Sequence, residues 1–519
     1  MVQQLNHQLI TSGYSTSRIL ISPQNIASGV LQLQFQPRII SDIHFNNDDT
    51  APALWNSRPL KLTSGEILSL PAIEQMMDNL KRLPSVQAHM TIVPSKKQKK
   101  LQSINNNKNT TNNSTNNSTN NSINTENKQE FNHSNNLNNL TNSNNSSIPT
   151  TDSDIKIDYQ QAFPLRFSLG IDDSVTQSLG KYQGTASVAF DNFLGLSDIL
   201  AISLTQDLNQ SLGSVISGNQ GYESIKNNGS RNRNFHYSIP FGYWNFSIGN
   251  NFSRYHQTVY GAFSNYIYAG ENEQWNLELE RLLHRNQNSK TFASVGISWR
   301  EMKQFIDNEA IDVQYKRIGG WDFGLRHQKQ LSDEWNQGMI EGSFRYKAGT
   351  GLANAQRPPE EMFGEGTSRY RLWTADIRTQ LPLHAEKKWK YSASVRYQKA
   401  NTSLLIQDRF AIGNRFTVRG FDGNLILSGE RGHTVRQDIS YQYLGEHEFY
   451  FGADYGKVSG PSTQFLLGKN ITGGFLGLRG KSDTYKGLTY DGFIGMPITK
   501  PQGFKTASVN AGFNVNWGF

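Results

Sequence analysis

Cysteine is absent from all 519 residues, which excludes disulfides, thiol catalysis and cysteine-ligated zinc. Only 36% of residues are hydrophobic and the mean hydropathy is −0.59. No window supplies the ~20 apolar residues of a transmembrane helix. The motifs of familiar chemistry are missing too. There is no GxxxxGK[ST] phosphate loop, no HExxH zinc pair and no GxSxG nucleophile turn. The 11 histidines show no metal-ligand spacing. An enzyme is therefore not expected, and no cofactor or metal is assigned. A net charge of +8 is modest for this length, and the basic residues are dispersed, so there is no nucleic-acid footprint. Met1 is followed by VQQLNHQLITSGYSTSR, which lacks the charged start and apolar run of a signal peptide. Taken literally, that start points to the cytoplasm.

What is present points elsewhere. Aromatic residues make up 11% of the chain, glycine occurs 45 times, and from Asp154 onward the apolar period is two. Leu165, Phe167, Leu169 and Ile171 alternate with Arg166, Ser168 and Gly170, and similar segments follow to the C-terminus. Transmembrane β-strands are apolar only on alternate residues, so they escape a hydropathy plot. The last strand is the clearest. Val509, Ala511, Phe513, Val515, Trp517 and Phe519 form one face, and small polar residues form the other. An apolar face ending in Trp517-Gly-Phe519 fits a lipid-facing wall around a wet lumen. Sixteen strands of about ten residues would use under half of the positions after 154.

One stretch interrupts the strands: Asp408 to Gly432, reading DRFAIGNRFTVRGFDGNLILSGERG. It is too long for a hairpin turn, and such loops in strand-rich proteins are usually functional or disordered. Gly420 and Gly423 permit tight turns, and Phe416, Val418 and Phe421 supply apolar groups to bury. The mixture predicts a loop folded back into something.

The N-terminal part reads as small α/β material. Strands are expected over Arg18–Leu20, Val30–Phe35 and Arg38–Phe45. Ile73, Met76, Met77 and Leu80 lie at i, i+3, i+4 and i+7, one face of a helix, with Pro71 in its first turn. Val86, Ala88, Met90 and Ile92 then alternate as a half-buried strand. Residues 97–153 are an Asn/Ser/Thr tract with almost nothing to bury, and are expected to form a disordered linker.

The phrases GYSTSRILISPQNIASGVLQLQF and PAIEQMMDNLKRLPSVQAHMTIVPS resemble the POTRA domains of two-partner-secretion transporters. VRGF at Val418–Phe421 resembles the loop-six signature of the Omp85 superfamily, and FTVRGFDG with LSGERG is closer to its haemolysin/adhesin exporter branch. FGEGTSRY at Phe363–Tyr370 and the terminal aromatic extend the resemblance over nearly the whole chain outside the Asn tract. It implies an all-β transmembrane barrel of about sixteen antiparallel strands in the bacterial outer membrane, preceded by periplasmic POTRA domains. The divisions would be 1–36, the C-terminal part of a first POTRA domain; 37–96, a second; 97–153, the linker; and 154–519, the barrel. The first POTRA domain would lack its leading strand and helix, and the numbering would begin inside a longer precursor. The family's loop folds into the lumen and sets its arginine on an acidic residue of the inner wall. Carried over, Val418, Arg419, Gly420 and Phe421 form the anchoring motif and Asp454 of FGADYGKV the partner, with Asp422 and Glu430 as rivals. Phe519 and Trp517 would be read by the barrel-assembly machinery. The implied activity is export of a large unfolded exoprotein, with possible activation of it, without nucleotide hydrolysis. A barrel insertase or a passive porin is the alternative.

Overall fold

The computed structural model describes residues 1–27, 29–46, 62–95, 152–176, 179–208, 229–331, 337–383 and 386–519. They form two units, Met1–Arg82 with Val86–Gln161, and Leu83–Ser85 with Ala162–Phe519. The expected disordered linker falls almost wholly outside the described residues.

The first unit begins with helix α1 (Val2–Thr11), which the sequence reading did not expect. No side chain caps its first turn, but Val2, Leu5 and Leu9 lie at i, i+3 and i+7, a periodic signal that the sequence reading passed over. Asn6 ties it to the antiparallel pair β1 (Arg18–Leu20) and β2 (Gln34–Gln36). The Asn6 side chain accepts from Ile19 N–H at 2.8 Å and donates to the Ile19 carbonyl at 3.0 Å. A helix does therefore precede these strands, contrary to expectation. β2 is also shorter than the Val30–Phe35 strand anticipated.

Next come β3 (Ile40–Asn46), α2 (Leu70–Lys81), β4 (Val86–Pro94) and β5 (Ser153–Gln161). Pro71 lies in the first turn of α2, and Ile73, Met76, Met77 and Leu80 are all buried. The sheet order is β3-β5-β4, with β5 parallel to β3 and antiparallel to β4. The central strand is thus β5, whose Ile155 and Ile157 are fully buried. This corrects two sequence expectations. Ser153–Gln161 does not open the barrel, and the Asn tract falls between β4 and β5 of one sheet instead of between domains. The cause is that a half-buried soluble strand and a membrane strand share the same period of two.

The second unit is a closed barrel of sixteen antiparallel strands. It starts with β6 (Leu165–Asp172), β7 (Gln183–Asp191), β8 (Ile199–Asp207), β9 (Gly229–Phe241) and β10 (Trp244–Tyr260). Then follow β11 (Asn265–Arg285), β12 (Ser289–Ile306), a two-residue β13 (Glu309–Ala310), β14 (Lys316–Gln330) and β15 (Met339–Thr350). After β16 (Arg371–Pro382) and β17 (Trp389–Ala400) comes a small hairpin, β18 (Phe410–Ile412) with β19 (Leu427–Gly429). The last five are β20 (Arg431–Leu444), β21 (His447–Ser459), β22 (Asn470–Lys481), β23 (Leu488–Thr499) and β24 (Asn510–Gly518). β24 pairs with β6 and closes the ring. Among the described residues no helix is long and apolar enough to cross a membrane.

Alternation sorts the side chains. Outward positions carry Leu169, Ile171, Val295, Ile297, Leu476, Leu478 and their like, all well exposed. Inward positions carry Arg, Asp, Asn, Ser and Gly. One rim holds tight turns, such as Gly242–Tyr243 and Gly445–Glu446, while the other holds the long connections 351–370 and 401–430. In outer-membrane barrels the short turns are periplasmic and the long loops extracellular.

Candidate functional site

The connection 401–430 turns back into the barrel. β18 and β19 form its stem, so Arg431 and Gly432, read from sequence as loop, already belong to β20. A cluster of Phe410, Ile412, Val418, Phe421 and Leu427 packs against Val458, Ile471 and Phe504. Val418 and Phe421 are fully buried, and the Phe421 ring meets Phe504 edge-on at 5.9 Å. Phe416 stays 56% exposed and so does not share in this core, contrary to expectation. Asn414 shapes the turn before the tip, its Oδ1 accepting from the N–H groups of Phe416 and Thr417.

The tip reaches the inner wall. On β21, Phe451 faces outward and is 43% exposed, whereas Asp454, three residues on, is fully buried on the inner face. Arg419 Nε donates to Asp454 Oδ2 at 2.7 Å and Nη2 to Oδ1 at 2.8 Å, a two-pronged contact. The Arg419 backbone N–H adds a third bond to Oδ2 at 3.0 Å, and Gln437 N–H supplies a fourth, to Oδ1 at 3.2 Å. That last donor comes from β20, whose ladder with β21 skips two positions there. The carboxylate is therefore satisfied on every side. Burial alone would lower the Arg419 pKa, but Asp454 and then Asp438 outweigh it, and the net shift is upward. The guanidinium stays charged.

Several partners were not named from sequence. Asp438 on β20 receives Arg419 Nη1 at 3.3 Å and pairs with Arg479 at 3.2 Å. The Phe475 ring lies under the guanidinium, with Cζ 3.5 Å from its centroid. Arg436 Nε approaches Asp454 at 3.6 Å. The rivals are engaged elsewhere. Glu430 accepts from Ser462 and pairs with Arg409 at 3.7 Å, while Asp422 accepts from Ala507 N–H at 3.0 Å.

Glycines make the approach possible. A Cβ on Gly473 would come 1.9 Å from the Arg419 carbonyl oxygen, and one on Gly495 2.9 Å from the Gly420 nitrogen. Gly420 itself has φ +103°, and its own Cβ would meet the Met496 carbonyl at 2.6 Å. Loop backbone thus lies directly on wall backbone. Beside the tip is an open pocket of about 830 Å³, whose lining includes Arg378, Ser394, Arg436, Glu448 and Asp491.

A second arginine of the loop reaches the junction of first and last strands. Arg415 Nη1 bonds Asp173, just beyond β6, and Nη2 donates to the Phe513 carbonyl on β24 at 3.2 Å. At the other end of that junction Phe519 and Phe167 exchange backbone hydrogen bonds of 2.9 Å, and their rings stack. Trp517 points outward beside them, with its ring 5.4 Å from that of Phe519.

Comparison with known proteins agrees with this architecture. The family model for the haemolysin secretion/activation protein ShlB/FhaC/HecB matches residues 151–480. POTRA models match residues 39–94 and, for the ShlB-type domain, 1–37. An outer membrane transporter CdiB-2 of Burkholderia pseudomallei is 27% identical over 518 residues, covering 99% of this chain and 76% of that protein. The hemolysin transporter protein ShlB of Serratia marcescens is 20% identical over 307 residues, covering 59% of this chain and 52% of that protein. The structure of CdiB from Acinetobacter baumannii superposes with a TM-score of 0.77 at 26% identity, covering 100% of this chain and 81% of that one. With POTRA domains ahead of the barrel and the family's own model matched over more than half of its length, the chain belongs to the ShlB/FhaC/HecB haemolysin secretion/activation family, the outer-membrane transporters of two-partner secretion.

Proposed function

We propose that the loop 401–430 is the movable element of this transporter, held in the lumen by Arg419 on Asp454 and displaced when an unfolded exoprotein passes. The chain is an outer-membrane barrel of the two-partner-secretion family with a periplasmic POTRA region, and its class exports a partner exoprotein. The finer reading rests on one observation, the buried two-pronged Arg419–Asp454 contact at the bottom of a loop that fills part of the lumen. Inward Arg, Asn, Gln and Ser offer an extended polypeptide a polar wall without apolar patches to retain it. Folding of the client outside biases its direction of movement, with no nucleotide consumed. Phe519 and Trp517, outward at the end of β24, act as the signal for the barrel-assembly machinery, and the outward aromatic and aliphatic residues contact outer-membrane lipid.

The test is secretion of the product of the neighbouring reading frame. The chain is expressed behind a supplied signal peptide, and the medium is assayed with it present, absent and as Arg419→Ala. Client in the medium only with the unmutated chain is the expected result. Equal secretion by Arg419→Ala, with the barrel correctly in the outer membrane, would remove the anchoring role.

A further inference from the structure

Three of the four hydrogen bonds that satisfy Asp454 come from Arg419, two from its side chain and one from its amide. Displacement of the loop removes all three together. The neighbouring carboxylates are less dependent on it. Asp438 keeps Arg479 at 3.2 Å, while Glu448 keeps Lys390 at 2.6 Å and Arg479 at 2.9 Å, all cations of the wall itself. Of its own hydrogen bonds Asp454 would keep the one from Gln437 N–H, at 3.2 Å. A buried carboxylate stripped of its counter-ion is strongly unfavourable, so an emptied seat calls for a replacement cation.

The wall carries one. Arg436 lies on the inner face of β20, opposite Ser394 of β17. Its Nε is 3.6 Å from Asp454 Oδ2, the same oxygen that Arg419 Nε holds at 2.7 Å, and so stands just beyond hydrogen-bond distance. That nitrogen is buried and has no hydrogen-bond partner among the described residues. The loop keeps the guanidinium occupied elsewhere, since Arg436 Nη1 donates to the Phe416 carbonyl at 3.2 Å. Arg419 thus takes the oxygen while Phe416 backbone ties up its competitor, and one movement of the loop undoes both. The open pocket beside the tip, lined by Arg436 and the small Ser394, leaves the side chain room to close the remaining distance.

We infer that Arg436 is the standby counter-ion of Asp454: its guanidinium closes on the carboxylate as the loop leaves and yields it to Arg419 as the loop returns. The inference rests on the reading of the loop as the movable element, and it names the wall residue that makes the movement reversible. Arg436 acts through Asp454 and is a positioning residue. It brings one nitrogen to a carboxylate that Arg419 meets with three, so the seat still favours the loop at rest.

The test reads how often the loop is out. Ile471, on the inner face of β22, is fully buried beneath the loop, and the chain has no cysteine. Ile471→Cys therefore supplies a single thiol that a membrane-impermeant maleimide reaches when the loop has left. The full chain carrying it is expressed behind a supplied signal peptide, with and without the client, and the labelling rate is measured. Arg436→Gln is introduced with Asp454 intact and, separately, with Asp454→Asn, where no charge needs replacing. It is expected to slow labelling about tenfold more with Asp454 intact, the order of one hydrogen bond to a charged group. A residue that only steadies the resting loop through Phe416 gives the opposite sign, faster labelling by the same factor in both backgrounds. Arg436→Lys, which keeps the charge, should restore the rate. Arg436→Met, uncharged and of similar length, replaces Arg436→Gln if that variant does not assemble. Equal effects in the two backgrounds, or Arg436→Lys behaving as Arg436→Gln, would overturn the standby role. Labelling that rises with client whatever stands at position 436 removes that role alone. Labelling that never rises with client removes the displacement of the loop, and the standby role with it.

Discussion

Arg419 and Asp454 have side chains 9% and 0% exposed, which decides how much their contact contributes. An exposed pair would contribute about 0–1 kcal/mol, but removing one member of a buried pair costs about 3–5 kcal/mol, since the other is left charged and dry. Arg419→Ala and Asp454→Ala should each destabilise by that order in urea unfolding, and the double variant should lose clearly less than the sum. Additive losses would mean that the pair does not interact in the folded barrel. Gly473→Ala separates geometry from charge. It alters no ion pair but drives a methyl into the Arg419 carbonyl, so it should expose the loop to added protease much as Arg419→Ala does. A protected loop in Gly473→Ala would refute the seating described above. The arginine and its carboxylate were legible in sequence because VRGF and FGADYGKV are local phrases. Asp438, Phe475 and the receiving glycines were not, because what faces Asp454 depends on the register of β20 to β22, and a shift of one residue changes every neighbour.

Among elements, the barrel strands were legible from their period of two, whereas their ends were not. Within HYSIPFGYWNFSIG, for example, Gly242 and Tyr243 form the turn of the β9–β10 hairpin. β11 runs for 21 residues, far beyond the ~10 that cross a bilayer, because β10 and β12 prolong the ladder on either side of it. The Asn tract shows a deeper limit. Composition marks the segment but not its place in the chain's topology, which is between β4 and β5, two paired strands of one sheet. Ser95 N–H donates to the Asp152 carbonyl at 3.0 Å, so the described residues on either side of the tract are already joined. Loop closure depends only on the logarithm of length, which is why an insertion at this point is compatible with the fold. Replacing residues 97–150 with a four-residue turn should therefore leave the β3-β5-β4 sheet intact and raise the stability of the isolated periplasmic unit by about 2 kcal/mol. A shortened unit that melts lower, followed by circular dichroism, would show that the tract contributes contacts of its own.

At the scale of the molecule, the ring closes through a short ladder, Asn514–Gly518 against Ser168–Asp172. Beyond that ladder Asp173 accepts from Phe513 N–H at 2.8 Å and from Arg415, so the folded-in loop caps the junction from inside. Arg415→Gln should raise hydrogen exchange at the amides of β6 and β24 while leaving β22 and β23 unchanged. A uniform rise would point instead to general loosening, and no change would detach the loop from the junction. The positions that receive the tip also have an order in time. Asp438, Asp454, Gly473, Phe475, Met496 and Phe504 all follow the loop in the chain, and the second anchor needs both Asp173 and Phe513. A barrel built from its first strand onward consequently has no complete seat for its own loop until the final hairpin arrives, and any chain that stalls before that point holds the loop by one moored end where a finished one holds it by two.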